Sequence, residues 1–211
     1  AKFKLHPFIV TLSTQLIIYA ASLLYLYLGD NKGQPLSGLR PEFQNLLMGG
    51  ITIGDSSIKY YTLYAIALVA LMWFIWNKTK LGKNMYAVGC NQEAANVSGI
   101  SVFKTILFIF IMAGALYGIS GFFEAANGGS ATATTGVNFE LDAIAACVIG
   151  GISFSGGVGK IRGVVIGVFL LQLIAASLIY LGIDPSLTYP IKGAVILIAY
   201  TLDMRKYVVK K

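Results

Sequence analysis

Apolar residues fall into six long blocks along this chain, at about 8–28, 58–76, 102–123, 141–154, 164–181 and 187–202, separated by polar or glycine-rich stretches. A helix needs roughly 20 residues to cross the hydrocarbon of a bilayer, so the first, second, third and fifth blocks are long enough and the other two are short. Short blocks interrupted by Gly or Pro suit tilted, re-entrant or half-helices. The pattern predicts an all-α fold: one polytopic membrane helix bundle spanning 1–211, with about six membrane segments.

If successive spans alternate in direction, the basic residues sort to one side. Lys2, Lys4, Lys78, Lys80, Lys83, Lys104, Lys160, Arg162, Arg205, Lys206, Lys210 and Lys211, twelve of the sixteen, collect together, leaving Lys32, Arg40, Lys59 and Lys192 at or near the other face. Basic residues favour the cytoplasmic side, so both termini and the loop 77–104 are expected there, with loops 29–57 and 124–139 on the periplasmic side. Tyrosines and tryptophans near the block ends, among them Tyr60, Tyr61, Trp73 and Trp76, suit the two membrane interfaces.

Composition narrows the function classes. The chain is 56% hydrophobic and 12% charged, with a mean hydropathy of +0.74. The net charge of +7 is spread along loops and does not cluster with aromatics on a polar face, which argues against a nucleic-acid partner. Cys90 and Cys147 form no CxxC pair and His6 is the single histidine, so a disulfide scaffold, a zinc site and His-dependent catalysis are poorly supported, and no catalytic residue, metal or cofactor is expected. The stretch GGISFSGGVGKIRG, Gly150 to Gly163, imitates a phosphate loop. Phe154 stands where its first glycine belongs, and Ile161 follows Lys160 where a hydroxyl would hold magnesium. Its glycines are read instead as allowing close backbone packing, as are the pairs Gly114/Gly118 and Gly163/Gly167, with a gating hinge as the alternative.

The longest cytoplasmic loop carries a finer signal. Asn91 is placed as an N-cap, Glu93 sits in the first turn, and Gly99 stands as a stop, which predicts a short helix from Gln92 to Ser98. Ala94, Ala95 and Ser98 would share a face. Such a helix is either a docking element or an ordinary amphipathic connector, and periodicity does not separate the two.

The segments GKNMYAVGCNQEAANVSGI, ELDAIAACVIGGISFSGGVGKIRGVVIG and IKGAVILIAYTLD occur in the order that resembles the membrane permeases of bacterial ATP-binding-cassette sugar importers, the ribose, xylose and galactose group. HPFIVTLSTQLIIYAASLLYLYLG, GQPLSGLRPEF and FFEAANGGSATATTG look most like the galactose/methyl-galactoside branch. The resemblance implies an inner-membrane transport subunit, not an enzyme, working with an ABC ATPase, a periplasmic sugar-binding protein, a second permease copy and the surrounding lipid. It assigns Gly89, Asn91, Glu93, Ala94, Ala95, Ser98 and Gly99 to the coupling helix that docks on the ATPase. Cys90 departs from the family, which usually has glycine there, and the family's N-terminal spans have no counterpart, so the chain reads as a C-terminal portion of a longer permease.

Polar residues within the spans have two readings. Thr11, Gln15 and Ser22 fall on one face of the first block and Gln172 lies mid-way in the fifth, where they would either line a translocation path or make interhelical hydrogen bonds. Glu124, Glu140 and Asp142 raise a rival class, an ion-coupled carrier, but all three fall at block ends where acids are inexpensive. A non-transporting structural membrane subunit is the third alternative.

Overall fold

The computed structural model describes residues 7–28, 32–53 and 56–208. The expected cytoplasmic ends bearing Lys2, Lys4, Lys210 and Lys211 lie outside them.

Each of the six apolar blocks forms a helix: α1 (Pro7–Leu28), α3 (Tyr60–Lys78), α6 (Val102–Gly128), α7 (Phe139–Ile149), α8 (Ile161–Tyr180) and α9 (Thr188–Val208). Among the described residues, four helices are long and apolar enough to cross a membrane, within Ile9–Leu28, Tyr60–Lys78, Val102–Gly128 and Ile161–Tyr180. These are the four blocks whose length predicted a span. At about 1.5 Å per residue, the 11-residue α7 is about 16 Å long and too short to cross the roughly 30 Å hydrocarbon by itself. In α9 the apolar part is Thr188–Ile198.

The polar connections are more structured than the hydrophobic pattern predicts, and the fold is not purely helical. Loop 29–57 contains α2 (Pro41–Met48) and the hairpin β2 (Gly50–Ile53) with β3 (Ser56–Lys59), in which Gly50 pairs with Lys59 and Ile51 with Ile58. β1 (Leu36–Ser37) pairs antiparallel with β4 (Ser130–Ala131), just after α6. Pro41 occupies the first turn of α2, where a missing N–H costs nothing. The strands were hidden because each is only two to four residues long, too short to display an alternating pattern.

Contacts divide the chain into two compact units, 1–68 with 106–136, and 69–105 with 137–211. In the first, Phe43 of α2 packs edge-on against Phe122 of α6 with ring centroids 4.7 Å apart, and Leu47 is almost fully buried. In the second, α7 packs against α8 and α9, burying Ala145, Ala146 and Leu171. Lys192 of α9 pairs with Asp142 in the first turn of α7, which ties together two residues expected near the outer face. Asp184 accepts a 2.8 Å hydrogen bond from the Ser186 N–H, which holds its carboxyl below the usual carboxylate range.

Large apolar side chains such as Ile17, Ile66, Ile111 and Phe169 remain exposed along the four span-length helices. Apolar surface on this scale is not tolerated by a soluble monomer and suits lipid or neighbouring membrane helices.

Candidate functional site

The expected short helix is present as α5 (Gln92–Val97), one residue shorter than predicted because Ser98 closes it. Asn91 adopts an extended backbone, and its Oδ1 accepts from the amides of Glu93 at 2.9 Å and Ala94 at 3.0 Å. Two of the four amides that any helix leaves unpaired at its start are thereby satisfied. At the other end Gly99 has φ +81°, its N–H donates to the Asn96 carbonyl, and Ile100 N–H donates to the Ala95 carbonyl. This pair of bonds is a Schellman closure, and it needs a left-handed residue at Gly99.

The predicted small-residue face is divided. Ala95 is 4% exposed, whereas Ala94 and Ser98 are exposed. Ala95 lies about 100° round the helix from Ala94, on the side of α5 that is covered. Ser98 uses its hydroxyl on the Ala94 carbonyl at 2.8 Å. What α5 presents outward is Gln92, Glu93, Ala94, Asn96 and Val97, and Val97 is 89% exposed. Val97 was not singled out from the sequence. An apolar residue one position before a small-residue stop was the available signal.

α5 does not stand alone. It is preceded by α4 (Lys80–Cys90), whose N-cap Thr79 accepts from the Gly82 amide and whose Gly82, Met85 and Val88 are buried. The glycine-rich stretch packs on α4. Tyr86 donates through its hydroxyl to the Gly159 carbonyl at 2.6 Å. A Cβ on Gly89 would lie 2.7 Å from the Gly157 amide nitrogen, and one on Gly156 would lie 2.7 Å from the Gly89 carbonyl oxygen. Gly157 has φ +71°, and a Cβ there would run into the Cys90 sulfur. Gly89 is therefore a packing position on α4, against Gly156 and Gly157, and not part of the exposed surface of α5.

The same stretch also joins α7 to α8. Cβ atoms on Gly163 and Gly167 would collide with the carbonyl oxygens of Gly150 and Ala146, so the two helices cross with their backbones touching. This bears out the close-packing reading of Gly163/Gly167. Gly114 and Gly118 on α6 have nothing within 4 Å, so for that pair the expectation fails among the described residues.

Thr11, Gln15 and Ser22 lie along one exposed face of α1 in the first unit, and Gln172 is exposed on α8 in the second. Ser22 donates to the Ile18 carbonyl at 2.9 Å, a bond within its own helix. Among the described residues no three or more His, Cys, Asp or Glu side chains gather as metal ligands.

The described residues thus hold a capped, exposed helix beside a glycine-packed loop, on a chain with four span-length helices. Residues 1–200 match the model of the branched-chain amino acid transport system / permease component family. The chain belongs to this permease family. It is 45% identical over 212 residues to the galactose/methyl galactoside import permease protein MglC of Escherichia coli (strain K12), an alignment covering 100% of this chain and 62% of that protein. Against MglC of Treponema pallidum (strain Nichols) the identity is 47% over 216 residues, covering 100% of this chain and 40% of the relative. The ribose import permease protein RbsC of Bacillus subtilis (strain 168) is 36% identical over 206 residues, covering 97% and 62%. The chain thus spans about three fifths or less of the length of these permease relatives. No solved structure matches it. Family membership and four span-length apolar helices make this a multi-pass membrane protein.

Proposed function

We propose that this chain is the membrane-spanning part of an ATP-driven monosaccharide importer of the bacterial inner membrane, taking galactose or a methyl galactoside. The observation that carries the substrate class is the 45% identity to a galactose/methyl galactoside import permease over the whole of this chain. On this reading the protein carries no catalytic site of its own. A partner ABC ATPase hydrolyses ATP, a periplasmic sugar-binding protein delivers the sugar, and a second permease copy completes the pore.

The proposed docking element is α5, with Glu93, Ala94, Ser98 and Val97 toward the ATPase, Asn91 and Gly99 fixing the helix ends, and Ala95 and Gly89 anchoring it from behind. Movement of α5 reaches α7 and α8 through the contact of Gly89 and Cys90 with Gly156 and Gly157. Both termini are assigned to the cytoplasm by the distribution of basic residues. Thr11, Gln15, Ser22 and Gln172 remain candidates for the path.

Uptake of radiolabelled methyl galactoside by cells carrying the native permease tests this reading. Uptake should follow the ATP level and survive a protonophore while ATP is maintained. Collapse on the protonophore at constant ATP would instead establish an ion-coupled carrier.

A further inference from the structure

The first unit contains a cavity of about 180 Å³ that the coupling account does not use. Its walls are Leu47 and Met48 from the end of α2, Tyr61 from the first turn of α3, and Phe123, Glu124 and Asn127 from the last turns of α6. All six belong to one compact unit. The volume is well below the ~300–1,000 Å³ usual for drug-sized ligands, so the occupant must be small.

The lining has a definite chemistry. Glu124 offers a carboxylate, Asn127 a carboxamide that both donates and accepts, and Tyr61 a phenol, set beside the apolar faces of Phe123, Met48 and Leu47. Among the described residues no hydrogen bond or ion pair occupies the Glu124, Asn127 or Tyr61 side chains, so their polar atoms are open to a ligand. A ligand with adjacent hydroxyls on one side and C–H groups on the other satisfies both kinds of wall. An inorganic cation would find a single carboxylate and no second acid, and an apolar ligand would leave Glu124 unpaired at a cost.

The aromatic wall is braced. Tyr64 stacks at 6.0 Å on Phe123, and Phe122 is held by Phe43 of α2. The pairing of β1 with β4 joins the chain before α2 to the chain after α6. Leu47, only 2% exposed, fixes the end of α2 against the cavity. This is a recess lined by polar groups on one aromatic-backed wall, at the end of α3 and α6 that the charge distribution puts outside.

We infer that this recess is an outward-facing subsite for a single monosaccharide, in which Glu124 and Asn127 hold neighbouring hydroxyls and Phe123 covers the C–H face of the ring. The inference rests on the importer reading. It gives the sugar a resting place on the permease between release by the binding protein and passage inward.

The test uses protection of an engineered thiol in the native permease. Met48→Cys, on the apolar wall and away from the polar atoms, is labelled from outside with a membrane-impermeant maleimide, with and without millimolar galactose. Galactose should slow labelling, and adding Glu124→Gln should raise the galactose concentration needed for half-protection about tenfold, the usual effect of weakening a hydrogen bond to a charged group. Labelling equal with and without galactose would overturn the subsite, as would a Met48→Cys permease that never reacts. ATP-driven uptake by the unaltered permease is measured alongside. Absence of that uptake sinks the importer reading, whereas uptake without protection sinks only the subsite.

Discussion

Two glycine pairs with the same spacing behave differently in this molecule. Gly163 and Gly167 on α8 press on the Gly150 and Ala146 carbonyls of α7, whereas Gly114 and Gly118 on α6 face open space. A small-xxx-small pair grants a helix the ability to approach another closely, but only the remainder of the fold supplies the neighbour. For α8 the neighbour comes from the same chain: the loop 150–160 returns α8 directly onto α7. For α6 none of the described residues fills that role, and the surface stays available to lipid or another subunit.

The largest expected effect comes from filling the closed pair. Gly167→Val should lower stability by about 3 kcal/mol, the upper end of the usual cost of overpacking, because the new atoms meet helix backbone that cannot rotate away. Thermal melting of the purified protein in detergent reads this directly, and an unchanged Tm would mean that the α7–α8 crossing is wider than described. Next in size is Gly157→Ala. It forces a side chain into a left-handed backbone at about 1–2 kcal/mol and pushes on Cys90, so it should both lower Tm and weaken the response of a partner ATPase to transported sugar. A fall in Tm with normal coupling would separate the loop from force transfer.

How far the sequence foretold this contrast depends on range. The caps of α5 were legible because Asn91 and Gly99 act on backbone groups within four residues, and the four spans were legible because length against bilayer thickness is a one-dimensional test. The burial of Ala95 was not, since it depends on which side of α5 the rest of the chain covers. Nor were the pairing of β1 with β4 or the recess beside Glu124, which depend on contacts between residues 36–61 and 122–131, while the β2–β3 hairpin was hidden by the shortness of its strands. The glycines of 150–163 were recognised as packing residues, yet their partners on α4, Tyr86 and Cys90, lie 73 and 67 residues before the glycines they bond. Hydrophobic pattern carries no information at that distance.

Smaller changes sharpen the comparison. Tyr86→Phe removes the hydroxyl bonded to the Gly159 carbonyl and should cost about 1 kcal/mol, leaving a part-buried carbonyl without that donor. Gly114→Ala, on the open pair, should be neutral or stabilising by up to about 1 kcal/mol, because alanine is the better helix former and meets nothing. A clear loss of stability or of oligomeric assembly in Gly114→Ala would show that a second copy or another subunit covers this face of α6. The contrast between the pairs would then be one between contacts within a chain and contacts between chains.

The central claim is that α5 is the seat of the partner ATPase, and co-purification in detergent of the native permease with its ATPase tests it most directly. Val97→Asp, at the most exposed apolar position on α5, should abolish association while leaving the permease's own Tm unchanged, since that side chain supports nothing within its own unit. Full association of the Val97→Asp permease would contradict the account and move the docking surface elsewhere on the cytoplasmic side.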